Sequence, residues 1–329
     1  MSYDNYLEIA SPDFHQARND DISFRLPERL IEASSKHKSF CLTRQNLTTA
    51  HYSLLTAHCV IIAHFHSRNI LQMNAIADVQ SSADTRNLPI TRVGIKSLRM
   101  PLVWQTVSGG VHTIAEVAMS VYLPAHQKGT HMSRFVALIE SFDKPIGYDT
   151  LSLLTHTMLK DLDAESGEIH IHAPFFRTKK APISGIKSLM DYDIELSGEV
   201  ENGKYCHSLK VVVPATSLCP CSKEISDYGA HNQRSHITVT LHCNSAVEPE
   251  EVIDLVEKQA SCQLYGLLKR PDEKFVTEYA YDNPKFVEDI VRDVAAALKA
   301  DDRICQFIVE SENFESIHNH SAYAKIVYP

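Results

Sequence analysis

The order of strand and helix patterns repeats along this chain, and the repeat limits the folds that it can adopt. In the first half, "VHTIAEVAMSVYLP" alternates apolar and polar side chains, as a half-buried strand does. Two helical stretches follow at "MSRFVALIESF" and "DTLSLLTHTMLKDLD", and "EIHIHAPFF" then returns to strand alternation. This half therefore predicts strands on either side of two helices.

The second half has the same order of patterns. Two strands, two helices and two strands are predicted, in chain order, at "SLKVVVPAT" and "HITVTLHC", "PEEVIDLVEKQASCQLYGLL" and "NPKFVEDIVRDVAAALKA", and "CQFIVES" and "AYAKIVY". In the last helix, Asn283 suits the N-cap and Pro284 suits the first turn. We therefore expect an α+β fold made of two ββααββ-type modules.

The length of the chain also favours two modules. With 329 residues, 44% of them hydrophobic, the chain can bury one large core or two ordinary ones.

Residues 1–72 differ from the rest of the chain. They contain six of the 18 histidines, but none of the 11 glycines and no sustained helical or alternating pattern. We expect a weakly ordered extension at 1–72 or a true start at Met73, and modules at 73–195 and 196–329. A histidine-rich metal or regulatory arm is the alternative interpretation of 1–72.

Charge and cysteine content restrict the partners and the compartment. The formal net charge of -9 argues against a nucleic acid as the main partner, because the phosphate backbone needs a basic surface. The eight cysteines are irregularly spaced in a long chain, which favours reduced thiols and a cytoplasmic protein. The apolar run "LLTAHCVIIAHF" is too short to span a membrane, which takes about 20 apolar residues. We expect a cytoplasmic protein without a membrane or nucleic-acid partner.

A Cys-Pro-Cys segment after the strand "SLKVVVPAT" is the first candidate site. The spacing of Cys219 and Cys221 is too tight for a structural zinc pair and does not match a Cys-x-x-Cys redox pair. A catalytic metal site needs three protein ligands, of which Cys219 and His231 are two candidates. We expect an extended backbone through the two cysteines, and we expect Cys219, but not Cys221, to share a pocket with His231. A buried thiol and a surface imidazole are the alternative.

Two further clusters contain acid-base groups. In "RPDEKFVTEYAYDNPKFVED", Glu273 is expected in the link between two helices and Glu288 on the second helix, beside its apolar stripe. In "ENFESIHNH", Glu315 and His318 lie in an expected turn between strands, where acid-base groups are frequent. The edge of a solvated helix face and a polar turn are the respective alternatives.

Five separate stretches together resemble one enzyme family, the type IB GTP cyclohydrolase I family. In chain order they are "LPITRVGIKSLRMPL", "HTIAEVAMSVYLPAHQKGTHMSRF", "TSLCPCSKEISDYGAHNQRSH", "RPDEKFVTEYAYDNPKFVEDIVRD" and "ESENFESIHNH". The resemblance extends from about Met73 to the C-terminus, and residues 1–72 depart from the family pattern. It implies a tunnelling fold with two modules per chain, and a homotetramer with active sites at module or subunit interfaces.

The resemblance also implies a reaction and a role for each candidate residue. GTP and water would give formate and 7,8-dihydroneopterin triphosphate, the first step of tetrahydrofolate biosynthesis. The implied roles are Cys219, His231 and Glu273 for the metal, Glu288 for guanine, and Glu315 and His318 with Cys219 for catalysis. A thiolate, an imidazole and a carboxylate suit zinc, manganese or iron as the divalent ion.

The triphosphate needs cations or a helix N-terminus, which leads to a separate expectation. "HQKGTHMSRF" places Lys128, His131 and Arg134 at the start of a predicted helix, and we expect the triphosphate to bind there.

Three alternatives to this activity differ in their chemistry. A zinc nucleobase deaminase would carry the H-x-E and P-C-x-x-C signature, which is absent from this sequence. A bimodular tunnelling-fold nitrile reductase would use a catalytic cysteine without metal. A non-catalytic metal-binding protein would take up metal but release no formate from GTP.

Overall fold

The computed structural model describes residues 78–80, 82–106 and 109–329. Ala77–Pro329 forms a compact unit of its own, and all of the described residues belong to it. The predicted extension at residues 1–72 lies outside the described residues.

One antiparallel sheet runs through the described chain. Its strands are hydrogen-bonded in the order β1-β2-β3-β4-β5-β6-β8-β9, and the short β7 pairs with β5. The strands are β1 (Ile90–Thr106), β2 (Gly109–Leu123), β3 (Gly167–Lys180), β4 (Lys187–Glu201), β5 (Lys204–Leu218), β6 (Asn232–Cys243), β7 (Cys262–Gln263), β8 (Ile304–Asn313) and β9 (Ala322–Tyr328). The predicted α+β class is therefore confirmed.

Helices connect the strands in each half. They are α1 (Met132–Glu140), α2 (Tyr148–Leu162), α3 (Pro220–Ile225), α4 (Pro249–Gln259), α5 (Arg270–Asp282) and α6 (Val287–Lys299). The first half has the predicted order, with α1 and α2 between two strand pairs. The second half keeps that order around α4 and α6 and adds α3, β7 and α5. Among the described residues, no helix has both the length and the apolar character that crossing a membrane requires.

The two halves join at a tight hairpin turn. Asn202 and Gly203 connect β4 to β5, and both have positive φ angles, 52° and 73°, as a two-residue Asn-Gly turn requires. The expected module boundary at residues 195 and 196 falls inside β4. The division into two modules stays a prediction.

The core lies between one face of the sheet and the helices. Alternate residues of β2, including Val117, Met119 and Val121, are buried, as the alternating pattern predicts. They belong to the same apolar cluster as Phe135 of α1 and Leu154 of α2. Burying each such side chain contributes roughly 1.5–3 kcal/mol, so the amphipathic helices hold to the sheet mainly through this face.

The helix predicted at 249–268 is shorter than expected. It ends at Gln259, because the chain after it pairs with β5 instead of continuing the helix. The Ser261 hydroxyl accepts a hydrogen bond from the backbone N–H of Leu218, at 3.1 Å, and Cys262 pairs with Thr216. The edge of β5 therefore competes for the backbone groups of this segment.

The region of Glu273 is a helix and not a link. Glu273 lies in the first turn of α5, and Asn283, the expected N-cap of the last helix, is instead the C-cap of α5. The last helix begins at Val287, with Phe286 at the N-cap. The interruption comes from Lys285, whose backbone N–H donates to the Leu218 carbonyl at 3.0 Å and so ties the link to the end of β5.

Candidate functional site

Cys219 and His231 lie side by side where β5 ends and β6 begins. The two strands are in register at Leu218 and Asn232, so the residues that follow and precede them meet. The backbone N–H of Cys219 donates to the His231 carbonyl at 3.1 Å. Both residues are half-buried. The two residues predicted to be metal ligands therefore lie next to each other, and their role as ligands stays a prediction.

The Cys-Pro-Cys segment starts a helix and does not continue the strand. Cys219 is the extended N-cap of α3, whereas Pro220 and Cys221 occupy its first turn. The expectation of an extended backbone through both cysteines is therefore wrong, because Pro220 favours the first helical position. Cys221 is exposed, and Cys219 is half-buried.

Ser222 connects the thiol and the imidazole residue. Its backbone N–H donates to the sulfur of Cys219 at 3.4 Å. Its hydroxyl donates to the Cys219 carbonyl at 3.1 Å and accepts the backbone N–H of His231 at 3.2 Å. One side chain therefore holds both candidate ligands in place.

Glu315 approaches the imidazole from the turn after β8. Its carboxylate oxygen is 4.0 Å from Nδ1 of His231, and the two side chains are only 12% and 14% exposed. Nδ1 also lies 3.0 Å from Oε1 of Gln233 and 3.4 Å from the hydroxyl of Ser316. His318 is exposed, and its ring stacks on that of His320 at 5.2 Å. Of the two acid-base candidates, Glu315 is thus the one in contact with His231.

A small apolar cluster supports this corner of the sheet. Leu218, Cys262 and Ala280 are buried together, and Val276 and Ala230 pack against them. Leu218 directly precedes Cys219, and Ala280 belongs to α5. The cluster therefore fixes α5 beside the strand end that carries the candidate thiol.

Glu273 and Glu288 are exposed carboxylates in the first turns of α5 and α6. Within residues 78–80, 82–106 and 109–329, no group of three or more His, Cys, Asp and Glu side chains is arranged to hold a metal ion. Glu273 is therefore not gathered with Cys219 and His231 into one ligand group, and its role as the third ligand stays a prediction.

The expected triphosphate residues lie at the start of α1 in the first half. His131 directly precedes the helix, and its Nε2 is 3.1 Å from a carboxylate oxygen of Asp78. Arg134 donates from Nη1 to the Asp161 carbonyl at 2.9 Å. The backbone N–H of Lys128 donates to the Ser82 carbonyl at 3.1 Å. These contacts order the segment, and its role with a triphosphate stays a prediction.

Asp272 is a buried carboxylate that the sequence analysis did not identify. It accepts backbone N–H groups from Ile183, Ser184 and Lys269, each at 2.8 Å, and the Ser184 hydroxyl at 2.7 Å. Burial raises the pKa of Asp272, but these hydrogen bonds outweigh burial and hold that pKa well below its usual range. Asp272 thereby fastens the start of α5, next to Glu273, to the turn between β3 and β4.

Exposed apolar side chains lie on the elements that carry the candidate site residues. We call them the apolar rim: Ile225, Tyr228, Phe275, Phe286, Phe314 and Ile317. Tyr228 is fully exposed and Ile225 is 83% exposed.

Comparison with known proteins identifies the family. The family model described as "Type I GTP cyclohydrolase folE2" matches residues 76–324. GTP cyclohydrolase FolE2 of Neisseria meningitidis serogroup C (strain 053442) is 66% identical over 257 residues, which are 78% of this chain and 86% of that protein. The protein of the same name from Neisseria gonorrhoeae (strain ATCC 700825 / FA 1090) is 65% identical over 257 residues, 78% of this chain and 100% of that one.

Among solved structures, uricase from Arthrobacter globiformis matches with a TM-score of 0.43 and 9% identity, over 77% of this chain and 95% of that one. The family match covers every candidate site residue, every helix and the strands of the described chain as far as the start of β9. It confirms the GTP cyclohydrolase I resemblance seen in the sequence, in its FolE2 form. This chain belongs to the type I GTP cyclohydrolase FolE2 family.

Proposed function

We propose that this chain is a GTP cyclohydrolase I, which opens the imidazole ring of GTP with water. It would release formate and form 7,8-dihydroneopterin triphosphate, the first step of tetrahydrofolate biosynthesis. The observation that carries the proposal is the pairing of Cys219 with His231, and of His231 with Glu315, in a FolE2 chain. The Neisseria relatives bear the name GTP cyclohydrolase FolE2.

A divalent metal ion is part of this proposal, and Cys219, His231 and Glu273 are the residues that would hold it. The donor chemistry fits, since thiolate, imidazole and carboxylate together suit zinc, manganese or iron. The N–H that Ser222 directs at the sulfur of Cys219 fixes the position of that sulfur, and cysteine binds metals as the thiolate. When bound, such an ion supplies a water whose pKa is lowered toward ~7.

The remaining roles belong to the side chains themselves. Glu288 would accept hydrogen bonds from guanine N1–H and from the 2-amino group, because a carboxylate offers two acceptor oxygens. Glu315 and His318 would carry protons to and from the imidazole ring of GTP as it opens and the product ring closes. Lys128, His131 and Arg134 would bind the triphosphate at the start of α1.

We also propose a cytoplasmic homotetramer with active sites at module or subunit interfaces. The apolar rim supports an interface at the site, because a second copy would cover side chains that one chain leaves exposed. The described cysteines support a reducing compartment, because all six are free thiols: Cys206, Cys219, Cys221, Cys243, Cys262 and Cys305.

Incubating the purified protein with GTP and assaying formate tests the proposal. The expected result is formate in equal amount to the pterin product, in a sample that contains bound metal. Metal uptake without formate would instead indicate a metal-binding protein. Bound metal in the purified sample would count against a nitrile reductase, which would use a catalytic cysteine without metal.

A further inference from the structure

The core-facing side of β5 and β6 changes from apolar to polar at the end next to His231. Farther from the site it carries Val213 and Ala215 on β5 and Ile237 on β6, all buried. Next to the site it carries Ser217, Gln233 and Ser235, which are 0%, 8% and 0% exposed. Buried polar groups cost free energy unless they are hydrogen-bonded, so an amide and two hydroxyls at this place call for an explanation.

These three side chains bond to one another in a fixed direction. The Ser235 hydroxyl donates to Oγ of Ser217 at 2.8 Å, and Nε2 of Gln233 donates to the same oxygen at 2.9 Å. Ser217 and Gln233 are directly paired across the two strands. Because Ser217 holds the NH₂ end of the Gln233 amide, the amide oxygen is left to face His231.

The amide oxygen of Gln233 determines which ring nitrogen of His231 carries the proton. Residues two apart on an extended chain point to the same side, and Oε1 of Gln233 lies 3.0 Å from Nδ1 of His231. An amide oxygen only accepts hydrogen bonds, so Nδ1 must donate. In the described part of the chain, the other polar contacts of the ring, with Ser316 and Glu315, are also made through Nδ1.

We infer that Gln233, held by Ser217, is a positioning residue that keeps the proton of neutral His231 on Nδ1 and presents Nε2 as the free lone pair. Metal-binding histidines commonly donate their second ring N–H in this way, which fixes the ring and raises its basicity. The effect of Gln233 on metal binding rests on the proposed function, whereas its effect on the orientation and tautomer of the ring does not.

Nitrogen NMR of the metal-free protein tests the tautomer directly. The protein is labelled with ¹⁵N-histidine and measured at about pH 8, where an ordinary imidazole is neutral. The His231 signals are identified by their loss in His231→Ala. We expect Nδ1–H in the wild type, a mixture of tautomers in Gln233→Leu, and retention of Nδ1–H in Gln233→Glu, because a carboxylate still accepts.

Zinc affinity, measured with Zn²⁺ against a competing chelator, is the second readout. We expect Gln233→Leu to lower the affinity by about 10–100-fold, the usual cost of removing a partner of a metal-binding histidine. Ser217→Ala should lower it less, because Gln233 remains. Ser208→Ala is the matched control. Ser208 also lies on β5, and its hydroxyl pairs with that of Ser197 on β4 at 2.6 Å. Removing the Ser208 hydroxyl should change neither readout.

Two results would overturn the inference. One is a wild-type His231 that carries its proton on Nε2, a result that is measured on the wild-type protein and does not depend on any variant folding. The other is a folded Gln233→Leu protein with the wild-type tautomer and the wild-type zinc affinity. If Gln233 controls the tautomer but the wild type binds no Zn²⁺, the inference about Gln233 is confirmed and the proposed metal site is contradicted.

Discussion

Glu288 lies exposed in the first turn of α6, in the segment that Lys285 ties to the end of β5. A carboxylate there matches the two N–H donors of guanine, whereas an amide would present one donor to them. We therefore expect Glu288→Gln to impair the use of GTP by a few kcal/mol, about 10²-fold or more in kcat/KM, with little change in metal content. Steady-state kinetics and elemental analysis of the variant measure both.

The control for this variant is Glu278→Gln. Glu278 is an exposed carboxylate on α5, paired with Lys274 at 3.6 Å, and its loss should leave kcat/KM unchanged. If Glu288→Gln lost metal in proportion to activity, Glu288 would be a metal ligand instead of the guanine anchor.

Asp272 gives the protein a specific dependence of stability on pH. Its folded-state pKa is depressed, because hydrogen bonds to Ser184, Ile183 and Lys269 outweigh the raising effect of burial. A depressed acid stabilises the fold above its unfolded pKa, about 3.9, and this contribution is lost as pH falls further through the folded pKa. We expect Asp272→Asn to lower the thermal midpoint near neutral pH and to differ less from the wild type as pH falls below about 4.

Thermal unfolding of both proteins, measured from neutral pH to below about pH 4, tests this expectation. Asp302→Asn is the control, because Asp302 is exposed. A difference between Asp272→Asn and the wild type that stays constant with pH would mean that shape, and not charge, holds the turn between β3 and β4.

Among single residues, the sequence suggests the candidate ligands but not the side chains that hold them in place. Cys219 and His231 are found from residue type and spacing, since thiolate and imidazole are metal ligands in any fold. Ser222 and Gln233 are not found, because their importance comes from the helix start at Pro220 and from the register of β5 with β6. One signal was available: polar residues such as Ser217 and Gln233 at positions that continue a buried apolar face.

Between elements, a buried ion pair fastens α4 to β3. Lys179 and Glu257 are 2.7 Å apart, with side chains 7% and 4% exposed, and the Tyr192 hydroxyl donates to the same carboxylate at 2.7 Å. Removing one partner of such a pair leaves an uncompensated buried charge. We expect Lys179→Met to lower the free energy of unfolding by about 3–5 kcal/mol in chemical denaturation.

Adding Glu257→Gln to Lys179→Met should restore much of the lost stability, because the amide oxygen still accepts from Tyr192 without a charge. Lys274→Met is the control, since its ion pair with Glu278 is exposed and contributes less than about 1 kcal/mol. Equal effects of Lys179→Met and Lys274→Met would contradict the account of the buried pair.

The helices that carry an apolar stripe were predicted from the sequence, whereas α5, which lacks such a stripe, was not. The stripe of α6, which includes Ile290, Val291 and Val294, is buried in the structure as its spacing indicates. In α5 only Asp272 and Ala280 are buried, so the segment lacks the periodic pattern that marks a helix. Its position depends on contacts with Leu218 and Cys262, which are distant in sequence.

Across the whole molecule, the repeated strand and helix order was predictable, but the continuous sheet was not. Pairing of β4 with β5 joins the two halves, and such long-range pairing leaves no local signal beyond the Asn202-Gly203 turn. Cys219, His231 and Glu315 all come from the second half, while Asp272 ties α5 to a turn of the first half. The candidate site thus depends on both halves being folded.

Residues 1–72 should be dispensable for the activity. They lack periodic apolar faces, and the family match begins only at residue 76. We expect a protein that starts at Met73 to keep the thermal midpoint and the formate release of the full chain. Loss of either on truncation would show that the segment contributes to the fold or to the site.

The central claim is that Cys219 is a metal-bound thiolate at an open catalytic site and that Cys221 is not a ligand. Elemental analysis and formate release, measured together on Cys219→Ala, His231→Ala and Cys221→Ala, test it most directly. The first two variants should lose metal and activity together, because each removes one of three ligands. Cys221→Ala should keep most of both, since Cys221 is exposed in the first turn of α3. A Cys219→Ala protein that still holds stoichiometric metal would contradict the claim and indicate a nucleophilic or redox cysteine instead.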